Sequence, residues 1–211
     1  MILTRKLRAL SLSAIAIPFC TFAADSRDMY KIESQNSKIE IQVAREGFLK
    51  AFGHDHLVSA RPFSGEIQIP ASGYGQSSVS FVIDSKSLTV VDPGESEKDR
   101  GEVQSTMHGE QVLDVARFPK IEFSSTQVKL LSNKNGDIKL DLQGNLTLHG
   151  VTKPITFPVH VSLPGDGTLS ADAEVSLLQS DYGIEPIKIA GGTVRVKDKL
   201  KLTFHILARK P

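Results

Sequence analysis

The sequence predicts an all-β protein, an extended antiparallel up-and-down barrel of about eight strands. Three observations support this prediction. Apolar and polar residues alternate over long stretches, turn-forming residues separate those stretches, and several stretches are ten or more residues long. Period-two alternation buries one face of each strand, as in antiparallel sheets. Strands of this length are long for a sandwich but natural for the tilted strands of a barrel.

The clearest alternation runs through residues 138–148. Gly144 occupies one of the alternate positions that are predicted to face the interior, which we call inner-parity positions. Residues 194–206 show the same pattern and are predicted to form one final strand. Clusters of Asn, Gly, Pro and Asp predict turns at 133–137, 149–154 and 164–167. The apolar, inner-parity sets begin at Ile39, Val79, Ile121, Ile138, Ile155, Leu169 and Val194.

A charged segment from Pro93 to Val115 interrupts the alternation. Val103, Met107 and Leu113 can form a weak helical stripe within it. We predict a loop and a short helix that lie over or plug one end of the barrel. The alternative is an excursion on the protein surface.

The first residues have the features of a secretory signal peptide. A basic start is followed by an uncharged, mostly apolar run that ends in small residues at Ala23. We expect cleavage after Ala23, removal of residues 1–23, and a single domain over residues 24–211 in the periplasm or outside the cell. The apolar run is short for a transmembrane helix, so an uncleaved anchor is the alternative. No later stretch approaches membrane-spanning length.

Composition excludes several classes of function. The single cysteine, Cys20, lies in the leader, so the mature chain would have no disulfide and no cysteine nucleophile. Three of the 25 basic residues also lie there, which leaves 22 against 24 acidic residues, a net charge of −2. Without a basic excess, nucleic acid is not an expected partner. The chain also lacks nucleophile-elbow, zinc-protease and phosphate-loop motifs, so we predict no catalysis and no cofactor.

Small residues on inner faces, namely Gly144, Ala171 and Ala173, indicate interior volume that side chains do not fill. An eight-stranded barrel is wide enough either to be filled by side chains or to hold one ligand, and voids in packed cores are few and small. We therefore predict a long apolar ligand inside the barrel. The lining predicted from alternation comprises Phe81, Ile83, Leu140, Leu142, Phe157, Val159, Ala171, Ala173, Val175, Leu202 and Phe204.

The run Gly53-His54-Asp55-His56 is the most distinctive polar feature. On a strand, His54 and His56 would share one face. Three roles are open: hydrogen bonding at a barrel end, anchoring a ligand head group, or binding a metal or haem with a third ligand from elsewhere. Arg61 is a further candidate for contact with an anionic head group.

Several stretches resemble the YceI family. Residues 115–125 (VARFPKIEFSS), 144–155 (GNLTLHGVTKPI) and 179–184 (QSDYGI) are similar to its motifs, and residues 63–67 (FSGEI) match an earlier element. The similarity extends from Met29 to the C-terminus, and the L-T-L-H-G-V-T-K-P run is specific. The chain departs from the family pattern at His54 and His56, where members commonly carry one histidine.

The resemblance implies a lipocalin-like barrel with a long internal tunnel. It also implies an exported bacterial protein that holds a polyisoprenoid lipid, either an isoprenoid quinone or a polyprenyl phosphate, for carriage or storage. The alternative is a metal- or haem-linked redox accessory that uses His54 and His56; a third possibility is a fully packed barrel that serves as an interaction module. A homodimer is compatible with the sequence. In the signature hairpin, we predict that His149 and Thr152 tie the turn and that Gly150 adopts positive φ.

Overall fold

The computed structural model describes residues 26–46, 55–189 and 194–211, and these residues form strands and one α-helix. The predicted leader and His54 lie outside the described residues. No helix in the described part is long and apolar enough to cross a membrane. The strands are β1 (Arg27–Ile32), β2 (Lys38–Val43), β3 (Arg45–Glu46), β4 (His56–Ala60), β5 (Phe63–Pro70), β6 (Ser78–Asp84), β7 (Leu88–Val90), β8 (Lys120–Lys134), β9 (Asp137–Leu148), β10 (Val151–Ser162), β11 (Thr168–Leu178), β12 (Lys188–Ile189), β13 (Val194–Val196) and β14 (Lys199–Arg209), and the helix α1 spans Glu97–His108.

Eight strands form a closed antiparallel ring in the order β1-β5-β6-β8-β9-β10-β11-β14, and pairing of β14 with β1 completes it. From β8 to β11, consecutive strands are joined by short turns. In β9 every second residue from Ile138 to Leu148 is buried, as the alternation predicts. The predicted eight-stranded barrel is confirmed.

Three of the ring positions are bent strands made of two segments each. β1 and β2 form the first position, and both pair with β14. β5 and β4 form the second position, where β5 pairs with β1 and β4 pairs with β2. β6 and β7 form the third position, where β6 pairs with β5 and β7 pairs with β4. At the first bend, the fully buried Ser37 hydroxyl donates to the Glu33 carbonyl at 2.8 Å and accepts from the Leu207 amide at 2.9 Å. The side chain thus replaces strand pairing where the backbone turns away.

The helix α1 covers one edge of β7, a strand that pairs with β4 on its other edge but does not pair with β8. The Gln104 amide oxygen accepts from the Val90 backbone N–H at 2.7 Å, and its nitrogen donates to the Leu88 carbonyl at 2.7 Å. This side chain provides both partners that a neighbouring strand would provide. Ser96 caps the helix by accepting from the Asp99 amide at 3.1 Å. The helix predicted within residues 93–115 is therefore present at one end of the barrel.

The signature hairpin between β9 and β10 joins three parts of the chain. His149 and Gly150 have φ of 50° and 72°, values typical of a tight hairpin turn. His149 Nδ1 donates to the Tyr182 carbonyl at 3.1 Å, its ring lies 4.5 Å from that of Phe118, and Thr152 bonds Thr147 at 2.8 Å. The hairpin is tied as predicted, but the histidine bonds a different loop.

Two local predictions differ from the structure. The stretch 194–206 is not one strand, because β13 joins β12 and β3 in a small separate sheet before β14 begins. Asp198 holds this break by accepting from the Ser180 amide at 2.8 Å and its hydroxyl at 2.6 Å, which lowers the pKa of the Asp198 carboxyl group. In β8, two register shifts interrupt the alternation, and Leu130 and Leu131 remain exposed.

We predict that Gly150→Ala lowers the free energy of unfolding by about 2–4 kcal/mol, because strain at positive φ adds to a steric clash. A Cβ at this position would lie 2.5 Å from the Phe118 ring. Gly136→Ala is the matched control, since Gly136 also has positive φ (86°) but no atom within 4 Å of an added Cβ. Urea titration of both variants measures the difference, and equal losses would show that the Phe118 contact is unimportant.

Candidate functional site: two chambers inside the barrel

A cavity of about 540 Å³, the large chamber, occupies the end of the barrel under α1. Its walls come from inner faces of the ring strands and of β2, β4 and β7, and α1 contributes Val103 and Met107 to its cover. Its lining is mostly apolar. The polar side chains among the described lining residues are His56, Glu102, Thr106, Gln179 and Glu185.

A second cavity of about 100 Å³, the small chamber, lies toward the other end of the barrel. Its lining includes Ala171 and Ala173, and Tyr74 and Ser77 are the hydroxyl-bearing residues among the described lining residues. The two chambers share Ile39, Phe81, Phe157 and Phe204. Aromatic rings therefore mark the level at which the interior space is divided.

The eleven predicted lining residues all face the interior, in three groups. Ile83, Val175 and Leu202 line the large chamber, and the three shared phenylalanines line both. The other five, Leu140, Leu142, Val159, Ala171 and Ala173, line the small chamber. That these residues contact a ligand stays a prediction.

Gly144 does not create interior volume. An added Cβ at this glycine would lie 2.4 Å from the Phe123 ring, so the ring fills the space that the missing side chain leaves. The larger void lies instead beneath the helix, where the walls carry large apolar residues. Small inner residues are thus a poor guide to where the larger void lies in this barrel.

His56 lies at the first residue of β4 and lines the large chamber on the same face as Val58. Its Nδ1 donates to the Asp92 carboxylate at 2.7 Å, and the other oxygen of that buried carboxylate accepts from the Leu57 amide. Within the described residues, His56 Nε2 has no partner. Asp92 therefore holds the imidazole in one orientation and leaves its second nitrogen for hydrogen bonding.

The ionisable side chains among the described lining residues of the large chamber are His56 and two carboxylates. Glu102 and Glu185 both contribute to its lining, and no lysine or arginine does so among the described residues. Lys188 donates to Glu185 at 2.9 Å and thereby lowers the pKa of that carboxyl group. Arg61 is exposed and lies outside both linings, so the structure does not bring it together with His56.

Three potential metal ligands meet near this rim. Ligand atoms of His56, Asp92 and Glu95 lie within 4.8 Å of one another. However, both oxygens of Asp92 are engaged by His56 and Leu57, as described above. In this geometry the cluster is organised by the hydrogen bonds of Asp92 to His56 and Leu57.

Sequence reasoning missed three residues that shape this site. Asp92 follows β7 in a Val-Val-Asp-Pro run with no motif to mark it, and Gln104 lies in a helix with little apolar periodicity. Phe123 has the inner parity of β8 and could have been found by the same alternation that identified Phe81, its direct cross-strand partner.

The YceI-like domain family matches residues 30–208 of the chain. A UPF0312 protein from Yersinia pestis (strain Pestoides F) is 35% identical over 160 residues, which cover 75% of this chain and 72% of the relative. A UPF0312 protein from Vibrio vulnificus (strain YJ016) is 33% identical over 144 residues, covering 67% and 65%.

Solved structures have the same fold at low sequence identity. Burkholderia cenocepacia BcnA superposes with a TM-score of 0.64 at 20% identity, covering 83% of this chain and 98% of that one. A polyisoprenoid binding domain from Saccharophagus degradans gives 0.60 at 14% identity, covering 86% and 98%. Together with the family match over nearly all of the described residues, these relatives show that the chain belongs to the YceI-like family.

Proposed function

We propose that this protein binds an isoprenoid-type lipid inside the barrel, with the tail in the large chamber, and that it carries or stores this lipid after export across a membrane. The observation that supports this most directly is the mostly apolar cavity of about 540 Å³. Burial of a CH₂ group is worth about 0.8 kcal/mol, so ten tail carbons supply roughly 8 kcal/mol before the cost of association. The polyisoprenoid binding domain from Saccharophagus degradans, which shares the fold, gives further support.

The polar residues at the rim favour a neutral head group over a phosphate. Glu102 and Glu185 would repel an anion, although Lys98 and Lys188 pair with them at the surface, and no lysine or arginine among the described residues lines the chamber to attract one. The oriented imidazole of His56 accepts a hydrogen bond when neutral and donates one when protonated. It can therefore serve a hydroxyl-bearing or a carbonyl-bearing head group, as in the two redox forms of an isoprenoid quinone.

We propose binding rather than catalysis for this chamber. His56 and Asp92 form a pair of the kind found in catalytic triads, but nucleophilic catalysis also needs an attacking group within reach. Thr106 carries the hydroxyl of the described lining, and it donates to the Glu102 carbonyl at 2.9 Å rather than to His56. A histidine without a nucleophile is suited to holding a polar group.

Filling the large chamber should weaken lipid binding. We expect Val58→Phe, which directs a ring into the chamber from β4, to lower the affinity for geranylgeraniol at least about tenfold, because exclusion of two methylenes already costs about 1.6 kcal/mol. Val82→Phe is the matched control, since Val82 lies on the outer face of β6 between Ser64 and Glu122. Displacement of a neutral fluorescent dye measures both affinities; unchanged binding by a folded Val58→Phe protein would contradict the proposed site.

Removal of the His56 imidazole should weaken the binding of polar head groups but not the binding of apolar tails. We expect His56→Ala to lower the affinity for an isoprenoid quinone by about three- to tenfold, the worth of one hydrogen bond, and to leave the affinity for squalene unchanged. His160→Ala is the control, because His160 pairs with Asp137 on the exposed surface. Equal losses of affinity for quinone and hydrocarbon would contradict the head-group role of His56.

Stoichiometric zinc, iron or haem in protein purified from its host would favour the metal-linked alternative, with His56, Asp92 and Glu95 as candidate ligands.

The acidic rim should discriminate against phosphates. We expect the protein to bind geranylgeraniol more tightly than geranylgeranyl phosphate, since like charges disfavour each other. The double variant Glu102→Gln/Glu185→Gln should reduce the ratio of these two affinities several-fold. Glu174→Gln is the control, because Glu174 pairs with Lys201 on the outer face. Competition between the alcohol and the phosphate at low ionic strength measures the ratio of their affinities. Tighter binding of the phosphate by the unaltered protein would show that the head group is anionic instead.

A further inference from the structure

The two chambers are separated by four phenylalanine rings, which we call the phenylalanine constriction: Phe81, Phe123, Phe157 and Phe204. Consecutive ring centroids lie 5.2, 5.8, 6.5 and 6.3 Å apart around a closed circuit in that order. These are contact distances for aromatic pairs. The rings come from four strands, β6, β8, β10 and β14, so they meet from different sides of the barrel.

The pattern along β9 shows where the constriction lies. Leu146 and Leu148 line the large chamber, whereas Leu140 and Leu142 line the small one. Gly144 lies between these pairs at the level of the rings, and an added Cβ there would lie 2.4 Å from Phe123. The boundary is therefore built into the order of inner residues along the strand.

The four rings differ in how firmly they are held. Phe123 and Phe157 are buried, and Phe123 stacks on Phe81, its direct cross-strand partner. Phe81 and Phe204 are only half-buried and border both chambers. Phe204 faces the small side chain of Ala173 across β11 and β14. Shortening Phe204 is therefore the substitution that should join the chambers with the least damage to the core.

We propose that the phenylalanine constriction sets the tail length that this protein accepts, an inference that rests on the proposed binding of isoprenoid lipids. A tail that fits the large chamber meets no obstacle. A longer tail must either displace the rings or leave its end in water, and the small chamber beyond can receive it only when the rings give way. Affinity should therefore rise with tail length up to the constriction and not beyond it.

The test is a competition among three neutral isoprenoid alcohols of increasing length: farnesol, geranylgeraniol and solanesol. The protein is loaded from an equimolar mixture in detergent, separated by gel filtration and extracted, and the bound alcohols are quantified by mass spectrometry. We expect the unaltered protein to hold the shorter alcohols. We expect Phe204→Ala to shift the ratio of solanesol to geranylgeraniol at least about tenfold, because each additional buried methylene is worth about a fourfold gain in affinity.

Two further variants identify the cause of the shift. Thr203→Ala shortens a side chain of the same strand, β14, on the outer face between Glu40 and Glu174 and outside both chamber linings, and it should leave the ratio unchanged. Phe204→Ala/Ala171→Leu fills the small chamber behind the opened constriction and should cancel the gain. If Phe204→Ala does not fold, Phe204→Leu, which keeps more apolar volume, should shift the ratio in the same direction.

The outcomes separate the two proposals. Retention of no alcohol by any folded variant would contradict the proposed function itself. The constriction would be refuted if the unaltered protein already held solanesol as well as Phe204→Ala does. It would also be refuted if Thr203→Ala shifted the ratio equally, or if the double variant kept the gain.

Discussion

The fold depends on closing the sheet, because every backbone N–H and C=O along a strand edge needs a partner. β14 satisfies this requirement by pairing with β11 on one side and with both β1 and β2 on the other. In the larger sheet of the described residues, β7 has an edge that pairs with no other strand, and there Gln104 of α1 bonds the backbone on either side of Thr89. The helix is therefore part of the closure, although it contributes few apolar side chains.

This mode of closure also explains where the interior is empty. Where β1, β5 and β6 complete the ring, the interior contains the small chamber of about 100 Å³. At the other end, β2, β4 and β7 leave the ring and a helix covers the gap, so large apolar side chains still leave about 540 Å³. Cavity volume in this barrel follows from the arrangement of its walls more than from the size of individual residues.

The fold was largely predictable because alternation encodes it directly. The parity of β9, β10 and β11 assigns each inner residue correctly, and the turns at Asn135 and His149 carry residues that tolerate positive φ. Features that do not repeat were not predictable. A register shift changes the parity of β8 without a sequence signal, and Asp198 interrupts an apolar pattern that continues on both sides of it.

The site was predictable to a smaller extent for the same reason. Inner parity identified residues that line the chambers, but it could not say which chamber each one lines or that Phe123 completes a ring of aromatics. The buried Asp92 was invisible because its role depends on the bend that brings β7 beside β4. Contacts between distant segments need the topology first, and the topology is what a linear pattern leaves open.

The residues that tie the signature hairpin and the proposed head-group residue His56 lie in different places, although the motif stretches also contribute walls to the large chamber. The special residues of those motifs, namely Phe118, His149, Gly150 and Tyr182, contact one another at the end of the barrel and line neither chamber among the described residues. Their contacts hold three chain segments together and so constrain the fold. His56 lies instead at the start of β4, held by a carboxylate outside those motifs. Neighbouring motif residues such as Leu146, Leu148 and Ile184 also form walls of the large chamber, so the motifs contribute to the barrel and to the proposed tail site, whereas the proposed head-group contact depends on His56 and Asp92.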